Sequence, residues 1–428
     1  MKGVKHMSQT DLATITTAEN TPTTLSKQTI PGGLCAIENV WVSGVHSGFK
    51  HRNKDLALIY FPKGATMAGV FTKNAIQSHH IKYDKKRLNE RATFKAIMIN
   101  SGNANTFNGQ KGDTDVQIMA ETLANKLAIH PDEVLICSTG VIGVPMDLTN
   151  FDEKVAHLSH NLTDGDSIQA AEAIMTTDTT IKQEAIAFEI EGKPVHLAAI
   201  AKGSGMIHPN MGTMLSYIVT DLDLGQATLL QLLKEAVGQS FNKISVDGDT
   251  SPNDTVILAS TNKVSVKPTK QNILLFQEKL TEICQMMAQE IVADGEGASK
   301  FVTVSVKGAG SLADAEGIAK QVATSSLVKT AIYGQDANWG RVLSAIGQAQ
   351  PNYLDPSKIK IQFISEKGSV LTCKDGQGLD FDEKLAYEIL SEAEITIAID
   401  LGLGKNQTSV WTCDMTEDYI KINADYRS

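Results

Sequence analysis

Long apolar runs are missing from this sequence. No stretch approaches the roughly 20 apolar residues that a membrane-spanning helix needs, and the N-terminus lacks the apolar core of a secretory signal. Arginine is absent from the first 30 residues, unlike the Arg-rich presequence of a mitochondrial protein. These absences favour the cytoplasm. Cysteine is scarce: Cys35, Cys137, Cys284, Cys373 and Cys413 are odd in number and scattered, without a CxxC pair or a His at metal-ligand spacing, so they read as reduced thiols. Dense Lys/Arg blocks are also missing, and the formal net charge of −10 argues against nucleic acid or an anionic membrane as the main partner. Neither HExxH, GxGxxG nor a P-loop motif occurs, which leaves zinc, dinucleotide and P-loop chemistry without support. The run from Asp247 through Asp249 to Asp254 alternates carboxylates as a calcium loop does, but it lacks the glycine at position six and the terminal glutamate of an EF-hand.

What is present is a chain of 428 residues, 42% hydrophobic, with 33 glycines spread along its length. That length exceeds what one hydrophobic core usually serves, so two lobes are expected. Apolar runs of strand length alternate with amphipathic stretches, which predicts a mixed α/β fold with flanking helices. Strands are expected at residues 56–61, 96–100, 134–138, 195–201 and 215–220, and later at 301–306, 359–364, 395–399 and 419–422. Ile273, Phe276, Leu280, Ile283, Met287 and Ile291 recur every three or four residues, predicting a helix with one buried face and Asn272 as its N-cap. A further helix should follow Asp336. Residues 1–31, rich in Thr and ending in Pro31-Gly32-Gly33, look like a mobile arm.

The strongest chemical signal lies near the midpoint. The segment AKGSGMIHPNMGTML, residues 201–215, carries glycines at 203, 205 and 212 and then breaks into an apolar strand. Gly212 has no side chain to obstruct attack on its carbonyl, and Thr213 opens the strand. Threonine is a weak nucleophile at neutral pH, and freeing its own α-amine by cleavage supplies it with a general base. The same residues also fit a plain turn into a strand.

The segment resembles the cleavage site of the ornithine acetyltransferase family, also called glutamate N-acetyltransferase. The resemblance extends through NSGNAN (100–105), STGVIG (138–143), AIMTTDT (173–179), VDGDTSPNDT (246–255), DGEGASK (294–300), ANWGR (337–341) and INADYRS (422–428). Two departures stand out: Gly212 where the family often has Ala, and Ser428 where Thr is common. Both keep the required chemistry.

The resemblance implies a two-lobed, self-cleaving α/β fold. An α chain of residues 32–212 and a β chain of 213–428 would share one active site, assembled as a heterotetramer of two α and two β chains. It makes Thr213 the nucleophile and Gly212–Thr213 the scissile bond. It assigns Thr139 and Gly140 to an oxyanion hole, the kind of donor pair that acyl transfer needs. Thr176, Lys202, Thr213, Glu296, Asn423 and Ser428 become substrate contacts, with Thr177 left as an alternative to Thr176. Lys202 suits an α-carboxylate and Glu296 an ammonium. The implied reaction carries acetyl from N2-acetylornithine to glutamate without a cofactor, and acetyl-coenzyme A is left open as a second donor. A hydrolase with an N-terminal nucleophile would share every step except the acceptor, and an uncleaved scaffold would share none.

Overall fold

A computed structural model of the chain describes residues 28–208 and 214–424. The larger lobe runs β1 (Gln28–Thr29), β2 (Trp41–Val45), β3 (Leu56–Phe71), α1 (His79–Glu90), β4 (Thr93–Asn103), α2 (Gly109–Leu127), β5 (Val134–Val141), α3 (Phe151–His160), α4 (Ile168–Ile174), β6 (Lys182–Ile190), β7 (Lys193–Lys202), β8 (Leu215–Leu222), α5 (Gln226–Gly238), β9 (Thr255–Val264) and α6 (Lys270–Ala293). The smaller lobe holds β10 (Phe301–Ala309), α7 (Leu312–Thr324), α8 (Ser326–Tyr333), α9 (Trp339–Gln348), β11 (Lys360–Ser365), β12 (Gly368–Lys374), β13 (Gln377–Gly378), α10 (Glu383–Ser391), β14 (Glu394–Asp400) and β15 (Asn406–Cys413). A last described helix, α11 (Glu417–Ala424), reaches back to Glu296.

Among the described residues the larger sheet has the order β1-β6-β7-β8-β9-β3-β4-β5, with β2 also on β3. Pairs β4·β5 and β8·β9 are parallel; β7·β8 and β3·β9 are antiparallel. Alternate residues sort the faces. Ile97, Ile99, Leu135 and Cys137 from one end of the sheet share a core with Ala198, Ile200, Leu215, Tyr217, Ile257 and Ala259 from the other. The sheet therefore folds over on itself at β3, whose register shifts between Tyr60 and Ala65, and its two halves stack. The opposite faces are covered by helices. Met98, Val134 and Ile136 pack with Val116, Met119 and Leu123 of α2, while Ile218, Val256 and Leu258 pack with Leu229, Leu233, Phe276 and Ile283 of α5 and α6. The layers are helix, half-sheet, half-sheet, helix, as the period-two alternation of buried residues in each strand requires.

The smaller lobe buries one face of the sheet β13-β12-β11-β14-β10-β15 against α7, α9 and α10. The mixed α/β, two-lobed expectation agrees with this architecture. The lobes divide after α6, whereas residues 212 and 213 fall between β7 and β8, both within the larger sheet.

Three expectations differ from the structure. The helix of the second half begins one turn early, so that Thr269 caps it by accepting from Asn272 N at 3.2 Å, and the Asn272 amide goes instead to Glu191 and Lys267. Lys270 and Gln271 lie outside the apolar stripe, which hid that turn. Residues 419–422 are helical in α11 rather than a strand: the period-two pattern is four residues long, and Glu417 and Asp418 in the first turn favour a helix N-terminus, where Thr416 Oγ1 accepts from Tyr419 N. Of the expected arm, residues 1–27 lie outside the described residues, and Gln28 and Thr29 pair with Ala187 and Ile186 of β6.

Candidate active site

Three strand ends meet where the chain enters β8. Leu215 pairs with Lys202 at the end of β7 on one side and with Thr255 at the start of β9 on the other. Met214, just before the strand, is held twice by the VDGDTSPNDT loop: its N–H donates to Asp254 Oδ1 at 3.0 Å, and its carbonyl accepts from Thr255 N at 3.2 Å. Gly212, Thr213 and Ser428 lie outside the described residues, so the site is built from what surrounds Met214.

The stacked half-sheet adds the end of β5. Asn253 donates its amide to Ser138 O and to Ala104 O, each at 2.7 Å, tying the residues beside Met214 to the strand that carries Thr139 and Gly140. The NSGNAN turn braces that strand: Ser138 Oγ donates to Asn100 Oδ1 at 2.7 Å, and Asn103 donates to Val144 O at 3.0 Å. Thr139 is buried. Gly140 adopts φ 128°, and a Cβ there would stand 2.3 Å from the Gly102 carbonyl carbon, so only glycine lets β5 end against β4 in this way.

Behind Lys202 lies a buried ionic cluster. Lys202 Nζ donates to Thr176 Oγ1 at 2.8 Å, which joins Lys202 to Thr176 rather than Thr177. Lys182 Nζ binds Asp178 Oδ1 at 2.9 Å and Asp294 Oδ2 at 2.6 Å. Asp178 also accepts from Gly203 N at 2.7 Å and Thr176 N at 2.9 Å. Burial alone would raise the Asp178 pKa, but Lys202, Lys182 and these N–H groups outweigh it and bring it to about 2. Burial lowers Lys202 from the ordinary lysine value, against Asp178, Glu296 and Asp254, which favour its charge. Lys50, drawn down to about 8 chiefly by burial, feels Lys202 and Asp178 and caps Met175 O at 2.6 Å. Buried charges at this density persist because each is paired or hydrogen-bonded.

Glu296 and Asn423 form the second pair of expected contacts. Asn423 Nδ2 donates to Glu296 Oε2 at 2.8 Å, and Glu296 N donates to Ser204 O at 3.0 Å. A Cβ at Gly205 would sit 2.3 Å from the Glu296 carboxyl carbon, which explains the glycine in the loop leading to residue 212. Beside this pair opens a cavity of about 470 Å³, lined by Thr106, Phe107, Met206, Asp247, Tyr419 and Asn423. Burial raises Asp247 to about 6, with Asp249 and Glu296 adding to the shift, although N–H groups of Asp249 and Met206 oppose it. Burial, then the charges of Asp247 and Glu296, raises Tyr419.

The structure thus joins Thr176 with Lys202 and Glu296 with Asn423, and links Thr139 and Gly140 to Met214 through Asn253. Sequence reasoning missed Asp178, Lys182, Asp294, Asn253 and Asp254. Four of the five stand inside motifs already quoted, and the signal was the presence of acids and amides in those three motifs, AIMTTDT, VDGDTSPNDT and DGEGASK. Lys182 gave no sign of its burial.

Stacked half-sheets under helices, with a polar, charge-paired centre at the strand ends, define a two-lobed α/β protein built around the entry to β8. The ArgJ family model matches residues 41–428. The arginine biosynthesis bifunctional protein ArgJ of Caldanaerobacter subterraneus subsp. tengcongensis is 42% identical over 389 residues, 90% of this chain and 96% of that protein. The protein of the same name from Thermotoga neapolitana is 43% identical over 390 residues, 90% of this chain and 98% of its own. A crystal structure of ArgJ from Bacillus halodurans matches at 36% identity and TM-score 0.46, covering 50% of this chain and 100% of that one. The chain belongs to the ArgJ family. Among the described residues no helix is long and apolar enough to cross a membrane.

Proposed function

We propose that this chain transfers acetyl from N2-acetylornithine to glutamate in arginine biosynthesis, after cutting itself between Gly212 and Thr213. Thr213 Oγ attacks the acetyl carbonyl carbon, the amide C–N bond breaks, and the departing ornithine amine takes a proton through the Thr213 α-amine. The acetyl ester so formed is attacked by the glutamate amine, which releases Oγ and yields N-acetylglutamate. Thr139 and Gly140 stabilise the oxyanion of both tetrahedral intermediates. Lys202 with Thr176 receives an α-carboxylate, and Glu296 with Asn423 and Ser428 receives an ammonium.

The observation that carries this reading is the fastening of Met214, one residue past the nucleophile, between the loop that grips the Thr139 strand and the strand that ends in Lys202. That fastening supports a site in which the nucleophile, the oxyanion donors and the carboxylate receptor act together at one edge of the larger lobe. The exchange calls for no cofactor, and acetyl-coenzyme A is a candidate second donor. The α chain (32–212) and β chain (213–428) pair as a heterotetramer working in the cytoplasm.

Intact-mass measurement after incubation with N2-acetylornithine tests cleavage, nucleophile and donor together. The expected result is two chains, with one added acetyl on the 213–428 fragment. Labelled glutamate then distinguishes the hydrolase alternative: labelled N-acetylglutamate supports transfer, whereas free acetate alone overturns it. A single intact chain would overturn self-cleavage.

A further inference from the structure

The donor and the acceptor of the proposed transfer differ in a way that one site must absorb. In N2-acetylornithine the α-nitrogen carries the acetyl group, so the ammonium received by Glu296 and Asn423 is the one at the far end of the side chain. Glutamate ends in a carboxylate, the same number of bonds from its Cα. Both substrates offer an α-carboxylate to Lys202 and bring their α-nitrogen to the same nucleophile, so their far ends reach the same space with opposite charge. Glu296 alone suits the ammonium and repels the carboxylate.

That space is the cavity of about 470 Å³ beside the Glu296–Asn423 pair, and Asp247 and Tyr419 line it together with Asn423. Both are firmly placed. Asp247 Oδ1 accepts from Ile207 N at 3.0 Å and from Asp249 N at 3.1 Å, and Oδ2 accepts from Met206 N at 2.5 Å. The Ile207 carbonyl is fixed in turn by Val246 N at 2.8 Å and Ser245 Oγ at 3.1 Å. A carboxylate has about four lone-pair sites, which leaves one on Oδ2, and the Tyr419 hydroxyl interacts with this carboxyl. Tyr419 stands one turn before Asn423 on α11, and its carbonyl accepts from Asn423 Nδ2 at 3.1 Å. Gly297, at φ 67°, lets this helix press on the Glu296 loop, since a Cβ there would stand 2.5 Å from Tyr419 N. Asp247, Glu296, Tyr419 and Asn423 are thus gathered from three chain segments at one cavity.

We propose that Asp247 and Tyr419 form the subsite that reads the far end of both substrates: the Asp247 carboxylate takes the donor's ammonium, and the Tyr419 hydroxyl turns to donate to the acceptor's distal carboxylate. This rests on the transfer reading above and names what selects its two substrates. A hydroxyl suits the double duty because it donates and accepts. When the ammonium occupies the free site on Asp247 Oδ2, Tyr419 Oη accepts from it; when glutamate enters, the same O–H points at the carboxylate. Asp249 on its own loop, Glu296 on the neighbouring loop, Tyr419 on α11 and the Cys413 thiol at the end of β15 face Asp247. Burial, then Asp249 and Glu296, bring Asp247 to about 6. It therefore meets the ammonium ionised at neutral pH, and a small further rise lets it take up a proton beside an arriving carboxylate.

Steady-state kinetics on the cleaved enzyme tests this, because in a ping-pong exchange kcat/KM for each substrate reports its own half-reaction. Tyr419→Phe keeps the ring and the backbone carbonyl that Asn423 bonds. It should lower kcat/KM for glutamate about tenfold, the scale of a lost hydrogen bond to a charged group, and change that for N2-acetylornithine less than about twofold. Asp247→Asn should do the reverse, lowering the donor's kcat/KM about tenfold or more while that for glutamate does not fall. Circular dichroism identifies the folded variants, and Tyr419→Phe decides alone where Asp247→Asn fails to fold. Equal falls for the two substrates in either folded variant, or an unchanged glutamate value in Tyr419→Phe, overturn the proposal. A wild type that makes no N-acetylglutamate from N2-acetylornithine and glutamate defeats the transfer reading itself, and the two failures are thus distinct.

Discussion

The Asn253 side-chain amide stands 2.7 Å from the carbonyl oxygen of Ser138, and this one bond ties the loop beside Met214 to the strand of the opposite half-sheet that ends in Thr139 and Gly140. The same amide reaches Ala104 O at 2.7 Å, and Thr106 Oγ1 donates to Asn253 Oδ1 at 3.0 Å, so all of its hydrogen-bonding capacity but one acceptor lone pair is used.

Asn253→Ala takes the side-chain donor from the buried Ser138 carbonyl, while Ala104 O keeps Ser78 Oγ and the Thr106 hydroxyl keeps Ala104 O. The variant should lose about 1 to 3 kcal/mol of stability in denaturant unfolding, on the scale of the penalty for a buried unsatisfied group. The displaced Thr139 strand should also lower kcat more than it raises KM. A kcat matching the wild type would show that the link does not set the oxyanion donors.

Gly140→Ala forces a side chain into φ 128° and places its Cβ against the Gly102 backbone at 2.3 Å. Since β4 cannot yield without giving up the register with β5, the chain at 139–141 must shift. Loss of one oxyanion donor typically costs about 100-fold in kcat, and the same scale is expected here in acetyl-transfer assays. Thermal melts of the folded variant separate lost stability from lost catalysis.

Lys202→Met keeps much of the buried stem and deletes the charge. Thr176 Oγ1 loses its donor, and Asp178 loses one of the two cations that bring it to about 2, so its pKa rises. KM for N2-acetylornithine should climb about tenfold or more, the scale of a charge-assisted hydrogen bond, with a smaller change in kcat. An unchanged KM would remove Lys202 from the carboxylate site.

His80 sits between Ser78 Oγ at 2.8 Å and Thr255 Oγ1 at 3.2 Å, and burial lowers its pKa from 6.5 to about 3. The unfolded imidazole takes its proton near pH 6.5 and the folded one only near pH 3, so between these limits the unfolded state binds more protons and stability rises with pH. The contribution is whole above pH 6.5 and is lost as pH falls toward 3. Denaturant midpoints from about pH 7.5 down to about pH 4.5 should therefore drop further for the wild type than for His80→Gln. Parallel curves would contradict a neutral buried imidazole.

The strands around the site were legible as short, mostly apolar runs of strand length, and β5 and β8 are indeed buried over residues 134–139 and 215–222. Glycines at 140 and 205 were visible as letters, but the reason for them was not: the atoms they make room for, at Gly102 and Glu296, are 38 and 91 residues away in sequence. Asp178 and Lys182 form a pair four residues apart that any surface turn would also show, and only the fold buries it against Asp294. The folding-over of the sheet was likewise hidden, because period two says that a residue faces a core without saying which core. Tyr419 to Ile422 was misread for a related reason, four residues being too few to tell one period from another.

The pairing of β7 with β8 carries a thermodynamic consequence. Residues 197–202 lie in register with 215–220, one strand before the proposed cut and one after it, as neighbours in a single ladder. A chain cut at 212–213 would therefore remain one folded body, yet its unfolding would release two molecules from one. Its melting point would then climb with protein concentration, as for a dissociating dimer. Refolding would also gain a step that brings α and β together, and the uncut Thr213→Ala chain, which releases fewer molecules per assembly on unfolding, would show a weaker dependence of melting point on dilution.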